Sequence, residues 1–200
     1  MRGGRIATEA DVDALTETLV RAFYEDPVWS WAFADPEGRL EHYRVVWRPI
    51  VESSIECGCA WLTPGAGAAA LWIAPGQTEL RPEDEKAVEA RLEELMGDGA
   101  ARVLETMERF DAAHPQDPEH YYLSLLGTLP ERQGQGEGLG LLAESLAWID
   151  ERGAPAYLES TNPGNDRRYE RHGFLKRDSF ELGEDGPSVT QMWRQPQPAG

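Results

Sequence analysis

The segment Gln133-Gly134-Gln135-Gly136-Glu137-Gly138-Leu139-Gly140 constrains this chain more than any other. Before it lies an apolar run, Tyr121 to Leu126, that reads as a strand. After it Leu142, Leu146 and Ile149 fall on one helical face. Glycines in such a turn let several backbone N–H groups converge at the positive end of the helix dipole. That makes an anion site, and a phosphate cradle in particular. Two phosphate chemistries fail on spacing. A P-loop needs Lys and then Ser or Thr after its last glycine, whereas Gly138 is followed by Leu139 and Gly140. A dinucleotide fingerprint needs its third glycine where Leu139 or Leu141 stands.

Strand and helix signals alternate along the rest of the chain, which indicates an α/β or α+β class. A short strand is expected over Arg5 to Ala7. Thr8 and Asp11 form a capping box for a helix carrying Val12, Leu15, Leu19 and Phe23, ended near Tyr24 by Asp26-Pro27. A second helix is expected over about Pro36 to Glu56, kinked at Pro49. A hairpin joins Ala60–Thr63 to Ala68–Ile73, and two helices follow, separated by Gly97-Asp98-Gly99. Beyond the glycine turn the pattern reads helix, strand Ala156–Glu159, a turn at Asn162–Asn165, a short helix through Tyr169, and a closing hairpin of Phe174–Leu182 and Ser188–Trp193. No repeat or linker divides the chain. Residues 1–194 are therefore expected to form one domain, and 195–200 a disordered tail.

Composition narrows the function. Across 200 residues, 19 Lys and Arg face 36 Asp and Glu, a net charge of −17. This argues against nucleic-acid and membrane partners, which require a basic surface. An acidic field would attract cationic small molecules, or serve solubility alone. A hydrophobic content of 40% with seven Trp excludes a disordered chain. No signal peptide or membrane span is read, so a cytoplasmic location is expected. Cys57 and Cys59 are too close for an unstrained bridge and read as two small buried thiols. The four histidines show no zinc spacing, so no metal is expected.

The glycine segment does satisfy Gln-x-x-Gly-x-Gly, through Gln133, Gly136 and Gly138. Leu126–Glu131 precedes it, Glu159-Ser160-Thr161 and Asn165 follow, and Tyr169-Glu170-Arg171-His172-Gly173-Phe174 closes the set. In this order the region resembles the GNAT superfamily of N-acetyltransferases, and Arg132 to Phe174 is similar to puromycin N-acetyltransferase and its relatives. The resemblance implies a single-domain, mixed central sheet flanked by helices, and acetyl-CoA as acyl donor. It puts the pyrophosphate on Gln133, Gly134, Gln135, Gly136, Glu137 and Gly138. The thioester carbonyl would lie by the backbone of Leu126, Gly127 and Thr128, where Gly127 also reads as a bulge signal. Glu137 departs from the pattern, since an acid near a pyrophosphate is unfavourable unless its side chain turns outward.

Tyr169 is the implied proton donor to the departing thiolate, with a packing role as the alternative. Glu159 either accepts the amine proton or caps the turn after it. Asn165 meets either the pantetheine arm or that turn. Tyr24, Asp26, Trp29 and Trp31 are candidates for the acceptor pocket, with aromatic faces and a counter-charge for a cation, or else are core. Trp47 and Trp61 read as core. The implied reaction is direct acetyl transfer to a primary amine of a small molecule by a monomer or homodimer. The competing reading is a non-catalytic module of the same fold that senses an acyl-CoA.

Overall fold

A computed structural model describes residues 3–183 and 185–198. Its strands are β1 (Arg5–Ile6), β2 (Ala60–Leu62), β3 (Ala68–Ile73), β4 (Tyr121–Thr128), β5 (Ala156–Ser160), β6 (Leu175–Glu181) and β7 (Ser188–Arg194). Its helices are α1 (Val12–Ala22), α2 (Pro27–Ala32), α3 (Arg39–Glu56), α4 (Pro82–Met96), α5 (Ala100–Ala113), α6 (Glu137–Asp150) and α7 (Asp166–Glu170). The strands form one sheet in the order β1-β2-β3-β4-β5-β7-β6. Every neighbouring pair is antiparallel except β4 and β5. The expected mixed sheet flanked by helices is thus present.

Two apolar layers hold the sheet. On one face Leu15, Leu19, Trp47, Val51 and Leu92 of α1, α3 and α4 pack on Ala69, Leu71 and Leu125. On the other, Leu142, Leu146 and Ile149 of α6 pack on Ala70, Trp72, Leu123 and Leu158. Leu123 and Leu125 are two residues apart yet serve opposite layers. The cause is a register shift: Leu71 pairs with Leu125 but Trp72 with Leu123, leaving Ser124 as an extra residue. One inserted residue sends the following side chains to the other face.

This corrects the reading of Gly127 as the bulge. Gly127 pairs regularly with Ala69. A Cβ built there would lie 2.8 Å from the Ala22 Cβ and 3.1 Å from Leu19 Cδ2. Glycine is needed because α1 sits directly on the strand.

Asp26-Pro27 also differs from expectation. It ends α1 but at once opens α2, with Pro27 in the first turn and the Asp26 carboxylate accepting from the N–H groups of Val28 and Trp29. Cys59 is buried, but Cys57 is exposed, so only one of the two thiols is a core residue. Within the closing hairpin Glu184 lies outside the described residues. Residues 195–198 of the expected tail carry no regular secondary structure, and the Gln197 N–H donates to Asp150. Ala199 and Gly200 lie outside the described residues.

Candidate active site

The β4–β5 pair is short. Tyr121, Tyr122 and Leu123 register with Ala156, Tyr157 and Leu158, and there pairing stops although both strands continue. A cleft of about 1270 Å³ opens at this parting, lined by both strands, the glycine turn, α7 and the ends of α1 and α5. Two groups of residues reach it from opposite faces of the sheet. Leu126, Leu139 and Tyr169 pack with the α6 layer. Tyr157 and Glu159 flank Leu158, which faces α6, so both point to the α5 side.

On the α6 side, Gly134 and Gly136 have φ of 75° and 79°, left-handed conformations that glycine adopts without strain. Gly136 is the N-cap of α6 and contributes no side-chain cap. The first N–H groups of a helix have no intrahelical partner. Nothing lies within 4 Å of a Cβ built on Gly134 or Gly136, so a ligand can approach the backbone closely. Gly138 packs against the Thr128 hydroxyl, which brings the turn onto the end of β4. These features fit a pyrophosphate. Gln133 donates to the Thr128 carbonyl at 3.3 Å, and Gln135 to the Glu131 carbonyl at 3.2 Å. Leu126, Gly127, Thr128, Gln133, Gly134, Gly136, Glu137, Gly138 and Asn165 all line the cleft, whereas Gln135 does not. The Glu137 carboxylate is ion-paired with Arg132. Its charge is therefore offset locally, which relieves the conflict that the sequence raised.

Tyr169 lines the cleft from α7, and its ring meets Phe174 edge-on at 6.2 Å. Burial pushes its phenol pKa upward, helped by Asp26 and Asp166. The hydroxyl is thus held protonated.

Across the gap, Glu159 does not cap the following turn; Asn162 does that by accepting from the Gly164 N–H at 2.9 Å. Glu159 instead accepts from the Tyr122 and Tyr157 hydroxyls, each at 2.8 Å. Gln191 in turn donates to the Tyr157 oxygen at 2.8 Å, fixing that phenol's direction. Burial raises the Glu159 carboxyl to about 8, partly offset by the two phenols and reinforced by Glu79 and Asp111.

Glu79 was not singled out in the sequence. It lines the cleft from the loop after β3, accepts from the bulged Ser124, and is raised by burial to about 7. His114 and His120 were also missed. The His120 Nδ1 faces the Pro118 carbonyl at 2.8 Å and so carries the proton, which leaves its Nε2 to accept from His114 Nε2 at 3.2 Å. Burial lowers both, His114 to about 4, so the pair is neutral. Of these, only Tyr122 and Tyr157 had a readable signal, as aromatic residues in two strands expected to be neighbours.

The acceptor candidates divide. Asp26 and Trp29 line the cleft; Tyr24 and Trp31 do not. Asp26 is committed to the α2 cap and to the Thr161 hydroxyl at 2.7 Å, and burial raises its carboxyl. Trp29 stacks on Phe110 at 5.7 Å and meets Trp47 edge-on, making an aromatic wall. Tyr24 lies under the Arg39 guanidinium and Trp31 under that of Arg102. Trp47 and Trp61 are buried as expected, although Trp47 also reaches the cleft wall.

Residues 93–174 match the model of the acetyltransferase (GNAT) family. The chain is 26% identical over 192 residues to an uncharacterized N-acetyltransferase of Schizosaccharomyces pombe, covering 90% of this chain and 76% of that one. A Corynebacterium glutamicum structure described as histone acetyltransferase HPA2 and related acetyltransferase superposes with a TM-score of 0.68. It is 24% identical over 98% of this chain and 97% of that one. Arylalkylamine N-acetyltransferase 2 of Aedes aegypti gives a TM-score of 0.65 at 12% identity, over 97% and 98%. A polyamine N-acetyltransferase of Drosophila melanogaster gives 0.65 at 14%, over 96% and 98%.

The fold is the GNAT fold.

The family-model match covers residues 93–174, and the sheet and helix arrangement is shared with the structures above. The matched span includes the glycine turn and the elements around it, from β4 through α7. Among the described residues no helix is long and apolar enough to cross a membrane. Nor do they hold a cluster of three or more side chains arranged for a metal ion.

Proposed function

We propose that the chain is an acetyl-CoA-dependent N-acetyltransferase that acetylates a primary amine of a small molecule by direct attack on the thioester. The reading rests on one observation: the gap between β4 and β5 joins a glycine cradle on one face of the sheet to the Glu159 carboxylate on the other. Acetyl-CoA supplies the activated acyl group. Glu159 takes a proton from the amine as its nitrogen bonds to the carbonyl carbon and the carbon–sulfur bond breaks. A carboxyl near 8 is close to the operating pH, where a general base works best. Tyr169 gives a proton to the departing sulfur. Its raised pKa makes full transfer uphill, so the phenol donates as negative charge develops on sulfur.

The acceptor side suits a cation with an apolar body. Glu25, Glu79 and Asp111 supply carboxyl groups that can pair with a cation, and Phe23, Trp29 and Phe110 supply aromatic surface. The insect structures above are named for arylalkylamines and polyamines, amines of this general kind. An aminonucleoside, which the resemblance of Arg132 to Phe174 implies, also combines an amine with a flat ring.

Free-thiol release from acetyl-CoA, followed with a panel of arylalkylamines, polyamines and aminonucleosides, tests this. Turnover with at least one cationic amine is expected. Tight acetyl-CoA binding with no turnover across the panel would favour the acyl-CoA-sensing module instead.

A further inference from the structure

The glycine cradle lacks an uncommitted cation. Arg132, the basic residue within the turn, is paired with Glu137. The molecule as a whole carries −17 and so repels a polyanion at long range. Against that background α7 is unusual. Arg167, Arg168 and Arg171 fall within five residues, all are exposed, and among the described residues none has a carboxylate within ion-pair distance. Two acids on the same short helix do not cancel them. Asp166 is turned inward, accepting from Ser160 at 2.6 Å and Thr190 at 3.2 Å. Glu170 is exposed. Arg168 lines the same cleft as the glycine turn, and its guanidinium's only hydrogen bond among the described residues is to the Asn165 side chain at 2.9 Å.

From this arrangement we infer that Arg168, backed by Arg167 and Arg171, is the subsite for a second phosphate of the donor: the 3′-phosphate of its adenosine. The inference rests on the acetyl-CoA reading. A ligand whose diphosphate is held by neutral backbone N–H groups still carries a terminal phosphomonoester. The guanidinium fork matches such a group geometrically and keeps its charge at any working pH. The Asn165 contact restrains Arg168 at the cleft wall before the ligand arrives. The subsite therefore discriminates donors that differ only in that phosphate.

The test is calorimetry with CoA and with 3′-dephospho-CoA, on the wild-type chain and on Arg168→Gln. One charge-assisted phosphate contact corresponds to about tenfold in affinity or more. Wild type should bind CoA about tenfold more tightly than dephospho-CoA. Arg168→Gln should weaken CoA by that factor, leave dephospho-CoA unchanged, and bring the ratio to about one. The double variant Arg167→Gln/Arg171→Gln should narrow the ratio partly and lower the salt dependence of CoA binding. Equal wild-type affinities for the two ligands, or a ratio that survives in Arg168→Gln, would overturn the subsite alone. Failure of both ligands to bind wild type would overturn the acetyl-CoA reading and the subsite with it.

Discussion

Tyr169→Phe removes one oxygen and keeps the ring that packs on Phe174. The maximal rate should fall by about 10²–10⁴-fold, the usual contribution of a general acid, with acetyl-CoA affinity changed only a few-fold. Steady-state kinetics beside calorimetry separate the two effects, and wild-type turnover would make Tyr169 a packing residue. Glu159→Gln keeps the shape and the neutral charge that the carboxyl has below its pKa, but cannot take a proton. In the wild type, kcat/KM for the amine should rise with pH through about 8, where Glu159 ionises. In the variant this limb should disappear along with most of the rate. The sequence singled out Tyr169 through its resemblance to the GNAT Tyr-Glu-Arg-x-Gly-Phe element and Glu159 as the end of a strand, and both line the cleft. The partners that tune Glu159 were not legible in the sequence. Glu79 approaches from a loop 80 residues away along the chain, and only the folded register makes the two carboxylates neighbours.

The α1–β4 contact is the element on which the cleft wall rests. Gly127→Val would drive a side chain into Ala22 and Leu19, at contacts that already close on a bare backbone. Overpacking of this kind costs about 1–3 kcal/mol, so a lower thermal midpoint is expected. An unchanged midpoint would mean that α1 moves away freely. Most elements were legible: the apolar spacing of α1 and the proline and acids opening α4 are signals that tertiary packing did not override. Two features escaped. Asp26-Pro27 stops one helix and caps the next with the same two residues, so a stop signal hid a start signal. The Ser124 bulge leaves no composition cue, since nothing in Tyr121–Thr128 distinguishes an inserted residue from a paired one. Without it, alternation assigns Leu125 to the wrong face.

For the molecule as a whole, buried carboxyls and a buried imidazole shift stability with pH in opposite directions. Glu159 and Glu79 have folded values near 8 and 7, above the ordinary 4.5. The folded state then holds protons that the unfolded chain has lost, so stability falls as pH rises from about 4.5 toward 8. His114, lowered to about 4 from 6.5, acts the other way, and its contribution is gained as pH rises to about 6.5. Between about 6.5 and 8 only the carboxyl effect remains. The thermal midpoint should therefore decline across that interval and stay flat over it in a Glu159→Gln/Glu79→Gln double variant; an equal decline in the variant would refute the assignment. The parting of β4 from β5 has a consequence of another kind, for descent. The glycine-turn side of the gap is written in a continuous stretch, Leu126 to Tyr169, while much of the opposite wall comes from earlier residues such as Phe23, Trp29, Glu79 and Phe110. A heritable change in that earlier stretch can alter the wall without touching the later one. On the proposed acetyl-transfer reading, a lineage built on this plan can exchange the amine it accepts and keep the machinery that delivers the acetyl group.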